Sequence, residues 1–190
     1  MAMDVKQTKL PGVLLLRPRY FRDARGYFVE TYNKRAAVGA GVAADFIQDN
    51  QALSLRPGTV RALHFQVPPR PQAKLVRVVR GSICDVAVDL RVGSPNYGAW
   101  VAEQLTADGG EQLYVPGGFA HGYCTLEPNT EVAYKVDDYY APECERGLIW
   151  NDPTLAIAWP VAPADVVLSD KDRALGFFAD FVSPFRYDGP

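Results

Sequence analysis

Short apolar runs follow one another along this chain, and clusters of Gly, Pro, Asn and Asp stand between them. The runs are VLLL (Val13–Leu16), GYFVETY, ALSL, VRALHFQ (Val60–Gln66), KLVRVVRG, SICDVAVDL, AWVAEQL, QLYVP, EVAYKVDDYY and GLIW. The breaks are RPGT, RGS, VGSPNYG, ADGG, PGGF, EPNT and NDPT, each a turn signal. In SICDVAVDL, Ile83, Val86 and Val88 alternate imperfectly with polar residues, the period of a half-buried strand. Only two stretches read as helix. One runs from Asn33, a possible N-cap, to Ala44. The other is SDKDRALGF, with Ser169 as N-cap and Asp170 and Asp172 in the first turn, where the helix dipole favours carboxylates. Many short strands at even spacing predict an all-β sandwich, jelly roll or barrel. A jelly roll with a small-molecule cavity between its sheets is the architecture expected here, with a few short helices.

Composition narrows the function classes. The chain has 190 residues, enough for one domain with a real core and short for two. A net charge of −2 gives no basic field for nucleic acid. The longest aliphatic run, VLLL, is far below the roughly 20 residues of a membrane span. No apolar segment near the N-terminus resembles a signal peptide, and three cysteines without CxxC spacing (Cys84, Cys124, Cys144) read as reduced thiols, so a cytoplasmic protein is expected.

Candidate chemistry centres on the two histidines. His64 sits in RALHFQVPPRPQAKLVRV, with Arg61 three residues before it and Lys74 ten after. Nearby cations disfavour protonated imidazole, which suits a base or a histidine facing an anionic ligand. His121 follows a Gly-Gly turn in VPGGFAHGY. No His-x-His pair exists, since position 66 is Gln, so no metal centre is expected. In DARGYFVETY, Arg25 offers a forked donor for phosphate or carboxylate and the stretch carries Glu30, while Phe28, or Phe21 just before the stretch, offers a flat face. Gln48 and Asn50 in FIQDNQ are two apart and share one strand face. Tyr134, Tyr139 and Tyr140 are possible proton donors if they line a cavity.

Eight pieces in order (DARGYFVETY, FIQDNQ, VRALHFQ, AKLVRVVRG, DVAVDLRVGSPNYG, YVPGGFAHGY, VAYKVDDYYAPECERGLIWNDP and LSDKD) make the chain resemble the dTDP-4-dehydrorhamnose 3,5-epimerase family, which has a cupin-type jelly roll, or double-stranded β-helix. The resemblance runs from about Leu10 to Trp159 and resumes at LSDKD. It departs at Ala62, where the family usually has glycine. It implies a single domain over 1–190, with a jelly-roll core at about 45–160 and a C-terminal helical segment at about 169–190. It also implies a homodimer that exchanges N-terminal strands. The implied activity is cofactor-free epimerisation at C3 and C5 of a nucleotide-linked 4-keto-6-deoxyhexose. A single-carbon epimerase of a related sugar, or a sugar-nucleotide binder without catalysis, are the alternatives. By resemblance, His64 is the base, Asp170 its dyad carboxylate, Tyr134 the acid and Lys74 the enolate-stabilising cation. Arg25, Glu30, Gln48, Asn50, Arg61, His121 and Lys171 become ligand contacts, and Phe21 and Tyr139 flank the nucleotide base.

Overall fold

The computed structural model describes residues 3–189. Two antiparallel sheets face each other in a jelly roll. The larger sheet takes β1 (Asp4–Gln7), β2 (Leu14–Arg17), β10 (Gln112–Val115), β7 (Lys74–Arg80), β12 (Thr130–Val136) and β5 (Gln48–Ser54), in that spatial order. The smaller takes β13 (Glu145–Gly147), β6 (Val60–Gln66), β11 (Phe119–Thr125), β8 (Ser82–Asp89) and β9 (Trp100–Thr106). A separate hairpin, β3 (Tyr20–Asp23) with β4 (Gly26–Val29), stands outside both. The sheets therefore begin well before residue 45, because β2 pairs with β10 of its own chain and β1 pairs with β2.

Apolar side chains fill one end of the space between the sheets. Val76, Val78, Leu113, Val115 and Val132 from the larger sheet meet Ile83, Val101, Leu105, Phe119 and Tyr123 from the smaller. Fully burying an aliphatic side chain of this kind contributes about 1.5–3 kcal/mol. The outer face of the smaller sheet is buried too. Ala62, Leu63, Val86, Val88 and Ala120 point away from the cavity, and Phe65 joins the same outer cluster. Leu155, Ile157, Trp159, Phe178, Phe181 and Phe185 of the C-terminal segment cover them.

The helices are shorter than their sequence patterns. Asn33 does cap α1, accepting a hydrogen bond from the Ala36 N–H, but α1 spans only Lys34–Gly39. Gly39 and a left-handed Gly41 (φ +91°) end it, so residues 42–47 run as irregular chain. Ser169 likewise caps α2, which spans Asp170–Arg173. Beyond it lie a single 3₁₀ turn at Phe178–Asp180 and an extended strap. The apolar residues of that strap are spent on covering a flat sheet, which favours extended chain over helix. Strand β4 stops at Val29, before Glu30. The strand near GLIW is Glu145–Gly147, displaced because its register against β6 places Gly147 opposite His64.

One irregularity sets the cavity. His121 lies opposite His64 and Tyr123 opposite Arg61, so β6 advances three residues while β11 advances two. This extra residue re-aims the strand. Arg61 and His64 both face the cavity, while Ala62 and Leu63 between them are buried in the outer cluster. The Ala62 methyl consequently points away from the pocket. The bulge is tight: a Cβ on Gly122 would lie 2.5 Å from Ala62 Cβ and 2.8 Å from the Arg61 carbonyl oxygen. Gly122→Ala should therefore lower stability by about 1–3 kcal/mol, the usual cost of overpacking. Thermal melting measures this, and an unchanged midpoint would show that the strands have room to part.

Candidate active site

A cavity of about 350 Å³ opens between the sheets, lined on one side by Gln48, Asn50, Lys74 and Tyr134 of the larger sheet. On the other side stand Arg61, His64, Gln66, His121 and Glu145 of the smaller sheet, with Lys171 and Asp172 of α2 over the rim. The volume lies in the range of small-molecule sites. Among the described residues, no group of three His, Cys, Asp or Glu side chains is placed to hold a metal ion.

His64 Nε2 lies 2.6 Å from Asp172 Oδ1. Asp170, the dyad carboxylate expected from the sequence, points into solvent and faces only Arg173 at 3.9 Å. The cap geometry explains the correction. Ser169 caps the helix by accepting from the Asp172 N–H, and its hydroxyl also donates to Asp172 Oδ2. That turns the third helical residue back toward β6 and leaves the first outside. Burial alone would raise the Asp172 pKa. The hydrogen bonds from His64 and Ser169, with Arg61 nearby, outweigh it and hold the carboxyl below its ordinary value. The other His64 nitrogen, Nδ1, is buried without a hydrogen-bond partner and lies 4.0 Å from Glu145 Oε1.

Lys74, at the start of β7, reaches across from the larger sheet and donates to the His64 carbonyl oxygen at 3.1 Å. Burial pushes its pKa down to about 8, against the raising influence of Asp85 and Glu145. Tyr134 stands on the larger sheet, on β12 opposite Asn50, and burial raises its pKa. His64 and Tyr134 thus occupy opposite walls. His121 lies beside His64 in register and bonds through Nε2 to Asp85 at 2.7 Å, both groups buried. Burial lowers the His121 pKa against the attraction of Asp85.

The remaining expected residues divide. Gln48 and Asn50 do share a face, bonded to each other at 2.9 Å and lining the cavity. Arg61 lines it as well and donates weakly to the Leu53 carbonyl (3.3 Å) and Ser54 hydroxyl (3.5 Å), with no carboxylate partner among the described residues. Lys171 is held by Glu145 at 2.6 Å. Phe21, Arg25 and Glu30 do not line this cavity. Arg25 is spent on Asp23 at the exposed tip of the β3–β4 hairpin, and Phe21 packs on Phe28. Tyr139 lies exposed just outside the lining, while its neighbour Tyr140 lines the cavity and donates to Glu145 at 2.6 Å. The sequence reading missed Asp172, Asp85, Glu145 and Gln66. For Asp172 the S-x-x-D spacing carried the signal; Asp85 and Glu145 had none beyond their place in the shared motifs.

A histidine–carboxylate pair, a cation and a phenol around one cavity equip an enzyme that moves protons without redox chemistry. A family model described as dTDP-4-dehydrorhamnose 3,5-epimerase matches residues 7–180, and the chain belongs to that family. The dTDP-4-dehydrorhamnose 3,5-epimerase of Pseudomonas aeruginosa is 48% identical over 179 residues, covering 94% of this chain and 97% of that protein. The crystal structure of the Bacillus anthracis dTDP-4-dehydrorhamnose 3,5-epimerase, with TDP and PPi bound, matches at 50% identity with a TM-score of 0.90. It covers 93% of this chain and 99% of that one. The Legionella pneumophila dTDP-6-deoxy-D-glucose-3,5-epimerase, in complex with dTDP-4-keto-L-rhamnose, matches at 38% identity with a TM-score of 0.93, over 99% of this chain and 100% of that one. The architecture is the cupin-type jelly roll of these enzymes.

Two outcomes follow from the geometry. Asp172→Asn should cut kcat by about 10²-fold or more, because the imidazole loses the negative charge that fixes its tautomer and stabilises its protonated form, whereas Asp170→Asn should stay close to wild type. Steady-state kinetics on the two variants distinguishes them, and the reverse pattern would restore Asp170. The ammonium of Lys74 is lost as pH rises through about 8, so kcat/KM should fall on the alkaline side there. A profile flat to about pH 10, near the ordinary lysine value, would show that this charge is not required.

Proposed function

We propose that this protein epimerises a nucleotide-linked 4-keto-6-deoxyhexose at C3 and C5, converting dTDP-4-dehydro-6-deoxyglucose to dTDP-4-dehydrorhamnose. The observation that carries the reading is His64, oriented by Asp172, facing Tyr134 from the opposite wall of the cavity.

In this mechanism, His64 Nδ1 removes a proton from carbon next to the ketone, and the C–H electron pair moves into an enolate. Asp172 holds the Nε2–H tautomer and stabilises the imidazolium that forms. Lys74 spends one N–H on the His64 carbonyl and has two more for the enolate oxygen. Preorganised donors of this kind are worth roughly 10²–10³ in rate. Tyr134 then delivers a proton to the opposite face. Nothing is oxidised or reduced, and no cofactor enters. Arg61, without a carboxylate partner among the described residues, suits the diphosphate, and Gln48, Asn50 and His121 suit polar groups of the ligand.

The working unit in this account is a homodimer in which N-terminal chain is exchanged. Phe21, Arg25 and Glu30 lie away from their own cavity, and the β3–β4 hairpin exposes Tyr27 and Phe28. That disposition supports a role for Phe21, Arg25 and Glu30 in the partner's site. β1 and β2 pair within the chain's own sheet, which favours this hairpin as the exchanged element. Among the described residues no helix is long and apolar enough to cross a membrane. The three cysteines are unpaired, which supports a reducing compartment such as the cytoplasm.

Incubation of the protein with the 4-keto nucleotide sugar in heavy water tests the reading. Mass spectrometry and NMR should find solvent deuterium at both C3 and C5. Deuterium at one carbon would narrow the activity to a single epimerisation, and at neither would leave a binding protein.

A further inference from the structure

Gln66 is the last residue of β6, two beyond His64, and is almost wholly buried. Its side-chain amide is committed to main chain. Nε2 donates to the Arg70 carbonyl at 2.8 Å and to the Tyr139 carbonyl at 3.3 Å, and Oε1 accepts from the Ala141 N–H at 2.7 Å. These groups belong to two irregular segments, the proline-rich turn at 67–73 and the stretch at 137–141, which have no sheet ladder to hold them. Three further bonds join the same segments: Arg70 to Asp138 (2.8 Å), Gln72 to the Asp138 carbonyl (2.6 Å) and the Ala73 N–H to Asp137 (2.6 Å). The Arg70–Asp138 pair is largely solvent-exposed on the arginine side, where ion pairs contribute little. Gln66 is almost wholly buried, so removing it exposes or orphans the three backbone groups it holds.

We propose that Gln66 is a positioning residue for the nucleotide end of the site. Its amide pins the backbone on both sides of Tyr140. It thereby fixes the exposed ring of Tyr139 at the cavity rim and aligns Tyr140 with Glu145, all from the strand that carries His64. With both N–H groups spent on carbonyls, Gln66 offers the substrate no donor and acts through Tyr139. The inference rests on the reading of Tyr139 as a contact to the nucleotide base.

Calorimetric titration with dTDP, alongside steady-state kinetics, tests it on Gln66→Ala, Tyr139→Ala and the double variant. Gln66→Ala should raise the dTDP Kd and the KM about tenfold, consistent with exposing or orphaning three buried backbone groups, and leave kcat within about threefold. In the Tyr139→Ala background, the same substitution should add less than about twofold, because the ring it positions is gone. Gln66→Glu keeps the volume and the bond to Ala141 but cannot donate to the two carbonyls. It should weaken dTDP binding in the same direction and supplies the comparison if the alanine variant does not fold. Additive losses in the double variant, unchanged dTDP affinity in both Gln66 variants, or a fall in kcat at constant KM would each overturn the proposal. Wild-type dTDP affinity in Tyr139→Ala would remove the base reading itself, and the proposal with it.

Discussion

Asp172 reaches His64 from a helix only four residues long, and that 2.6 Å contact ties the C-terminal segment to the central strand of the site. A buried carboxylate is costly unless it is paired and hydrogen-bonded. Here the imidazole takes one oxygen and the Ser169 hydroxyl the other, while the Ser169 cap sets the helix that delivers the group. The strap that follows packs Phe178, Phe181 and Phe185 onto the back of the smaller sheet. Apolar burial on the outer face thus holds a polar contact on the inner one. The same contact commits His64 Nε2 and leaves Nδ1 without a hydrogen-bond partner.

The cavity groups divide between the sheets. The smaller carries His64, Arg61 and the His121–Asp85 pair; the larger carries Tyr134 and Lys74. Lys74 crosses between them to the His64 carbonyl, so the cation and the base are fixed relative to each other without pairing their charges. Glu145 performs a similar function at the rim. Burial would raise its pKa, but Lys171 and Tyr140 lower it and keep it ionised, which anchors α2 from a second direction.

The strand order was legible wherever one face of a strand meets solvent or turn residues punctuate the chain. It was faint in β8, which is buried on nearly every residue, because cavity and core lie on one side and the aromatic strap on the other. Period-two reasoning found Gln48 and Asn50. It could not place Arg61 and His64 on one face, since only the extra residue in β6 brings positions three apart together. The family motifs led to the segment LSDKD and to Asp170, whereas the structure sets Asp172 against His64. Choosing between Asp170 and Asp172 required the direction of the first helical turn. Phe21, Arg25 and Glu30 were read as site residues from the same motifs, and within one chain they stand apart from the cavity.

The account's central claim is that a hexose ring lies between an imidazole and a phenol. A crystal structure with a nucleotide-linked 4-keto-6-deoxy sugar, or an unreactive analogue of it, measures this directly. The account predicts the reacting carbon within about 3.5 Å of His64 Nδ1 and the Tyr134 hydroxyl on the opposite face of the ring. A ring bound with both groups on one face, or with Nδ1 turned away from carbon, would contradict it.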